Sequence, residues 1–436
     1  MLQRIGAGLI ASSLAALLVK MAGTPATPLG TAQMLTWQDM PLFTWSKLDP
    51  AAEAVVRQYL KTWKDKGGQN AYQGIWMESE QNILADHQGN IPLPAASLTK
   101  IATTLASLKK WEPSHQFETL VSTTGSIKNG VLQGDLVVTG SSDPLFVWEE
   151  AIAIGNSLNQ LGIRRVTGSL VIVGDFYMNF EEDPIIAGKL LHQALNASRW
   201  SPQAATQHRA MPPRTPKPQV AIAGQVKVPT TAPANTTLLL RHQSLPLAQI
   251  LWHMNVYSNN PMAEMLAKSV GGAGVVAKQA AESADVPQNE IQLINGSGLG
   301  VENRISPRAV TAMLMAIERV LEPHQMGVED VFPQSGRDRH GTLFARKIPL
   351  GTAIKTGTLR QVSALAGVMP TSDRGRVWFA IINGGSSNIW EFREQQDQIL
   401  EQLSQKWGNS AVLNVNTAQS PPLLGDPKRI QKVMSN

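Results

Sequence analysis

The sequence predicts a mixed α/β fold of the α+β kind, and three observations carry that prediction. Apolar residues recur at helical spacing in several well-separated stretches, including 49–63, 98–111, 309–321 and 389–407. Between 353 and 383 three strand-like runs follow one another so closely that they read as an antiparallel meander. The stretch 120–140 has another texture, with short strand runs punctuated by Gly125, Gly130 and Gly134. The 436 residues hold ample apolar material for one large core or two to three smaller ones.

In chain order, Met1 to Ala32 reads as an export segment or N-terminal anchor. Arg4 supplies a positive start, Ile5 to Val19 is apolar and uncharged, and Ala26, Thr31 and Ala32 offer cleavage positions. The apolar run, about fifteen residues, is short of the roughly 20 that span a bilayer. Lys20 and the poor A-x-A match leave an uncleaved anchor, and with it membrane association, open. A helix over Asp49–Trp63 follows, marked by Val55, Tyr59 and Leu60. Tyr72–Glu78 and Asn82–Ala85 then read as two strands around a polar turn, leading into a helix after Ser97.

Beyond the punctuated stretch, the pattern gives a helix at Val147–Leu161 and a strand at Val166–Val173. Pro202–Pro233, rich in Pro, Thr, Ala and Gln, reads as a loop or crossover. Helical spacing resumes at Leu247–Met254 and continues through Met262–Val270. Ser306-Pro307 caps the helix Ala309–Leu321, the strands of the meander follow, and Ile389–Trp407 is a last amphipathic helix. From Val412 onward, with Pro421-Pro422 and no periodicity, the tail reads as loose.

Composition narrows the function. A net charge of +5 with no dense Lys/Arg run gives no nucleic-acid patch, only a general affinity for anionic surfaces such as a cell wall. The absence of cysteine excludes disulfides, thiolate metal sites and cysteine catalysis. The eight histidines show no metal spacing, so no metal or other cofactor is expected. Gly296-x-Gly298-x-Gly300 has no βαβ context and reads as a tight turn.

The chemistry is carried by three short motifs. Ser97 and Lys100 are three apart, hence on one face of a helix, and Pro92 and Pro94 place Ser97 at or near its N-terminus. Alone, such a pair is most simply an N-cap and a solvated lysine. Two further elements change that balance: Ser258-Asn259-Asn260 supplies a Ser-x-Asn, and Lys355-Thr356-Gly357 a Lys-Thr-Gly. Their order is that of the penicillin-recognising serine enzymes.

A neutral serine hydroxyl needs a base in contact, and a lysine serves only if its pKa falls far below about 10.4. Burial and a second cation, here Lys355, both push it down. Ser258 is placed to relay a proton to the leaving amine, and Asn260 to orient Lys100 or the substrate amide. Lys355, with Thr356, Gly357 and Thr358 on a strand edge, is expected to hold a terminal carboxylate. The backbone N–H groups of Ser97 and Thr358 are candidates for the oxyanion hole.

With these motifs the chain resembles the penicillin-binding protein 4 family of D-alanyl-D-alanine carboxypeptidases and endopeptidases. Gly134-Asp135-Leu136 with Asp143-Pro144, Asn295–Leu299, Asn303-Arg304, Ser306-Pro307 and the Asp338–Leu343 stretch extend the resemblance over most of Leu48–Trp407. It implies a transpeptidase-like or β-lactamase-like fold: a five-stranded antiparallel sheet flanked by helices, with extra domains inserted between Ser-x-x-Lys and Ser-x-Asn. It also implies peptidoglycan stem peptides as substrates, β-lactam antibiotics as covalent inhibitors, and a periplasmic or envelope location.

The interval between positions 97 and 258 is 161 residues, too long for the bare fold and too short for two nested insertions. The expected organisation is therefore an export or anchor segment over 1–32, a discontinuous catalytic domain over 33–121 and 242–410, one inserted domain over 122–241, and a loose tail over 411–436. A second departure is Gly300-Val301, where the resemblance leads one to expect Ser-Arg. In such enzymes that Arg, with an Asp and a Phe of the inserted domain, binds the acidic side chain of the third stem residue. Asp175 and Phe180 match the latter two positions, while Val301 has no charge to offer.

Two other readings stand beside this one. One is a β-lactamase or esterase on the same fold, against which Glu290 lacks the Glu-x-x-Leu-Asn surroundings of a deacylating acid and reads as a strand-edge carboxylate. The other is a wall-binding protein with a decayed site, against which all three motifs stand intact. Trp148, Trp200 and Trp390 are candidates for a sugar-facing groove.

Overall fold

The computed structural model describes residues 48–338, 340–386, 388–411 and 423–433. The export or anchor segment expected over 1–32 lies outside them. Among the described residues, no helix is long and apolar enough to cross a membrane.

A five-stranded antiparallel sheet runs in the order Ala353–Leu359, Val362–Thr371, Gly375–Gly384, Gln73–Glu78, Ile83–His87. The expected meander supplies the first three strands and the expected hairpin the other two. Side chains alternate across a strand, so each strand feeds two cores. Along Val362–Thr371, Ala364, Ala366 and Val368 join one core, while Leu365 and Met369 join the other. Along Gly375–Gly384, Trp378, Ala380 and Ile382 go with the first, and Val377, Phe379 and Ile381 with the second. Because both faces are covered, these runs are apolar almost throughout.

Pro50–Asp65 and Ile389–Trp407 cover the second face through Val55, Tyr59, Phe392 and Leu400. The former helix begins where Asp49 Oδ1 accepts from the N–H groups of Ala51 and Ala52, both at 2.9 Å. Pro50 fills the first helical position, where a missing N–H leaves nothing unpaired. The first face is covered by Thr99–Lys110 and Pro307–Leu321, with further helices packed behind them.

Between Glu118 and Gln243 the chain builds a second region around its own core. Its main sheet has six strands, in the order Val226–Lys227, Leu170–Asp175, Leu136–Ser141, Glu118–Thr123, Thr237–Gln243, Ile430–Lys432. Leu136–Ser141 and Leu170–Asp175 are parallel, and the helix Trp148–Gln160 lies in the connection between them. Trp148 is 2% exposed in this core, so it lines no sugar-facing groove.

Three expectations are corrected here. Pro202–Pro233 is not one loop: Pro202–Ala210 is a helix, with Ser201 Oγ accepting from Ala204 N–H at 3.2 Å. A proline at the first helical position starts a helix as readily as it breaks one, and composition alone does not separate the two. The tail is not loose throughout. Ile430–Lys432 pairs antiparallel with Thr237–Gln243, Ile430 enters the core, and Arg429 donates to Glu150 at 2.5 Å. A three-residue strand has too few positions to show a period, and its partner lies far away in sequence. Finally, Leu247–Val256 does not run on unbroken: the chain turns at Ser258, with φ +51°, before Asn260–Val270 begins.

Candidate active site

Ser97 sits in a 3-10 turn, Ala96–Leu98, that runs straight into the helix Thr99–Lys110. Ala96 is held at φ +49°, a left-handed conformation uncommon for a residue with a side chain. Two glycines make room for the turn. A Cβ on Gly298 would meet the Ala96 carbonyl oxygen at 1.9 Å, and one on Gly357 would lie 3.0 Å from Ser97 N. The edge strand Ala353–Leu359 thus passes directly against the serine turn.

Lys100, one helical turn beyond Ser97, is fully buried. Its Nζ donates to Ser97 Oγ at 3.2 Å, to Asn260 Oδ1 at 2.7 Å and to the Ser297 carbonyl at 2.8 Å. Burial lowers its pKa to about 7, against the opposing pull of the Glu264 carboxylate. Asn260 reaches Lys100 because Asn259 caps the helix that follows, its Oδ1 accepting from Met262 N–H at 3.0 Å. The turn at Ser258 directs its hydroxyl to Lys355, whose Nζ donates to Ser258 Oγ at 3.0 Å and to the Thr356 carbonyl at 2.8 Å. Lys355 is also fully buried, and burial, then the Lys100 charge, hold it well below the usual lysine range.

Five of the predicted residues therefore converge: Ser97, Lys100, Ser258, Asn260 and Lys355. Thr356 and Thr358 line an open cavity with Ser97, Ser258 and Asn260. Asp175 and Phe180 do not line that cavity. Asp175 ends the strand Leu170–Asp175 and accepts from Ser142 Oγ at 3.2 Å, while Phe180 is partly exposed at a turn with φ +68°. The segment reaches the other region through Glu182, which pairs with Lys268 at 3.2 Å on the helix that begins at Asn260. Glu290 is taken up elsewhere, accepting from Ser306 Oγ at 2.5 Å and pairing with Arg308.

Sequence reasoning missed several contributors. Glu264, one turn after Asn260, accepts from Gly296 N–H at 2.9 Å and Ser297 N–H at 3.0 Å. It thereby fixes the loop whose Ser297 carbonyl receives Lys100. The i, i+4 spacing from Asn260 was the available signal. Phe344, 78% exposed, and Arg393 also line the cavity, and no local pattern marks either of them.

A sequence model of the D-Ala-D-Ala carboxypeptidase 3 (S13) family matches residues 59–178 and 197–406. A D-alanyl-D-alanine carboxypeptidase, DacB, of Haemophilus influenzae is 22% identical over 420 residues, covering 74% of this chain and 87% of the relative. A D-alanyl-D-alanine carboxypeptidase of an Actinomadura species is 31% identical over 203 residues, 42% of this chain and 37% of its own. Among solved structures, a predatory peptidoglycan endopeptidase from Bdellovibrio bacteriovorus superposes with a TM-score of 0.70. It is 21% identical and covers 82% of this chain and 98% of its own. Penicillin binding protein 4 of H. influenzae superposes at 0.59, with 20% identity over 77% of this chain and 96% of its own.

Proposed function

Because the chain belongs to the D-Ala-D-Ala carboxypeptidase 3 (S13) family, we propose that Ser97 is its acylated nucleophile and Lys100 the base that activates it. The protein is a serine-type D-Ala-D-Ala carboxypeptidase/endopeptidase. The observation that carries the residue assignment is the Lys100 amine, buried and 3.2 Å from Ser97 Oγ, with its pKa brought to about 7.

In the first step, neutral Lys100 takes the Ser97 proton as Oγ attacks the carbonyl of the penultimate residue. The N–H groups of Ser97 and Thr358 hold the developing oxyanion, which the close approach of Gly357 to Ser97 N supports. Ser258, tied to Lys355, passes a proton to the departing amine. Water then attacks the acyl-enzyme by the reverse of these transfers and returns free Ser97.

The substrates in this reading are peptidoglycan stem peptides, and β-lactam antibiotics acylate the same serine. The protein acts outside the cytoplasm, in the periplasm or envelope, delivered or anchored by residues 1–32. The segment 122–241 is an inserted domain that shapes access to the cavity, and Asp175 and Phe180 lie on its side of the third stem residue. The test is labelling with a fluorescent penicillin alongside release of D-alanine from stem peptides. Ser97→Ala should abolish both, and persistent labelling of that variant at another residue would overturn the assignment.

A further inference from the structure

A carboxypeptidase must grip the free carboxylate of the residue it releases, and motif reading gives that task to Lys355. The geometry turns Lys355 elsewhere. Its amine is fully buried, and it donates to Ser258 Oγ and to the Thr356 carbonyl. A carboxylate is held best by a full cation within hydrogen-bond reach, preferably a forked one.

Two arginines line the cavity with Ser97. Arg346 is committed: its side chain is 4% exposed and bound to Asp397 at 2.6 Å and to Gln396 at 3.0 Å. Arg393, in the first turns of the helix Ile389–Trp407, is not. Among the described residues it makes no salt bridge, and its Nη2 donates to Thr358 Oγ1 at 3.0 Å. Its guanidinium lies 4.9 Å from the Trp390 ring centroid, an aromatic rest that limits where the fork can swing.

An extended residue advances about 3.3–3.6 Å, so the carboxylate of the leaving residue falls within one side chain of the serine. Thr356, Thr358 and Arg393 line the same cavity as Ser97. We propose that Arg393, presented by Thr358 and rested on Trp390, is the cation that binds the terminal carboxylate of the substrate. The Thr356 and Thr358 hydroxyls complete the site, and Lys355 serves the proton path through Ser258. This rests on the reading of Ser97 as nucleophile.

The experiment measures kcat/KM on paired peptides ending in D-Ala-D-Ala, one with a free carboxylate and one with a C-terminal amide. The proteins are wild type, Arg393→Gln and Arg393→Lys. Wild type should prefer the free acid by about tenfold or more, the scale of one charge-assisted contact. Arg393→Gln should bring the two peptides within about threefold of each other, and Arg393→Lys should restore part of the preference. The ratio is internal to each protein sample, so partial unfolding does not alter it. An unchanged preference in Arg393→Gln, or none in wild type, overturns the proposal. Penicillin labelling of Ser97 in the same samples reports separately on the nucleophile, and its failure would strike that reading instead.

Discussion

Lys100 and Lys355 beside Ser97, and Glu150 in the second region, are all withdrawn from water, but their neighbours differ in kind. The two amines donate to hydroxyl, amide and carbonyl oxygens, and neither touches a carboxylate. Glu150 instead accepts from His242 Nε2 at 2.8 Å, Arg429 Nη2 at 2.5 Å and Gly425 N–H at 3.1 Å. Burial alone pushes the Glu150 carboxyl up, yet His242 and Arg429 hold it below the usual glutamate range. The same burial, without a contacting counter-charge, takes Lys100 down to about 7. Depth in the protein does not by itself make a reactive group. What decides is whether an opposite charge comes with it, and the serine site withholds one from contact.

The largest effect that tests this contrast is at Lys100. Lys100→Met keeps the bulk and removes the base, so acylation by penicillin should slow by at least about 10³-fold, the scale of general-base catalysis. The amine has no contacting counter-charge, but its removal also leaves Asn260 Oδ1 and the Ser297 carbonyl without their donor. The two effects oppose each other, so thermal stability should change little. Acylation within tenfold of wild type would show that another group deprotonates Ser97.

Glu150→Gln is the complementary substitution. It leaves Arg429 without its counter-charge, and loss of one partner from a buried pair costs about 3 kcal/mol or more. Denaturant unfolding should report that loss, while penicillin acylation per folded molecule stays near wild type. A variant of normal stability would mean that the cluster binds no more firmly than neutral groups do.

Glu264→Gln probes the counter-charge kept near the site but out of contact with Lys100. Charged or titratable groups facing Lys100 are Lys355 on the edge strand and Glu264 on the helix from Asn260. In the proposed mechanism Lys100 acts as the free amine, so kcat/KM for acylation should rise as pH climbs through its pKa. The Glu264 charge favours the protonated amine. Its removal should therefore move the acid limb of the profile to lower pH, together with a modest fall in the plateau as the loop at Ser297 loosens. A limb that stays in place, or moves to higher pH, would reduce Glu264 to a structural hydrogen-bond acceptor.

The site was legible because its parts are short and rigid. Ser97 and Lys100 share one helical turn, and Ser258 and Asn260 share one interhelical break. Arg393, Phe344 and Glu264 belong to the same cavity or its support, but they reach it through packing between elements distant in sequence. The fold divides along the same line. The central sheet follows from local strand runs and a meander. The Ile430–Lys432 strand and the Pro202–Ala210 helix depend on a distant partner and on a cap, and neither leaves a period to count.

The smallest expected effect is an indifference, and it returns to the question of which charges are answered. At the position where relatives are expected to carry an arginine, Val301 is 54% exposed and uncharged. Its neighbour Arg304 is engaged, donating from Nε and Nη2 to the Pro92 carbonyl at 3.2 and 3.0 Å. Lys268, on the side of Asp175 and Phe180, is paired with Glu182 and lies over the Tyr177 ring. A free carboxylate on the third stem residue would thus meet no uncommitted cation in this set, and its desolvation would go largely unrepaid. Peptides carrying a free acid or an amide at that side chain should be cleaved with kcat/KM values within about tenfold, a difference of about 1.4 kcal/mol. A free-acid preference well beyond tenfold would show that another cation has taken the arginine's place. Arg360, exposed at the turn after the edge strand, is then the first residue to replace, and loss of the preference in Arg360→Gln would identify it.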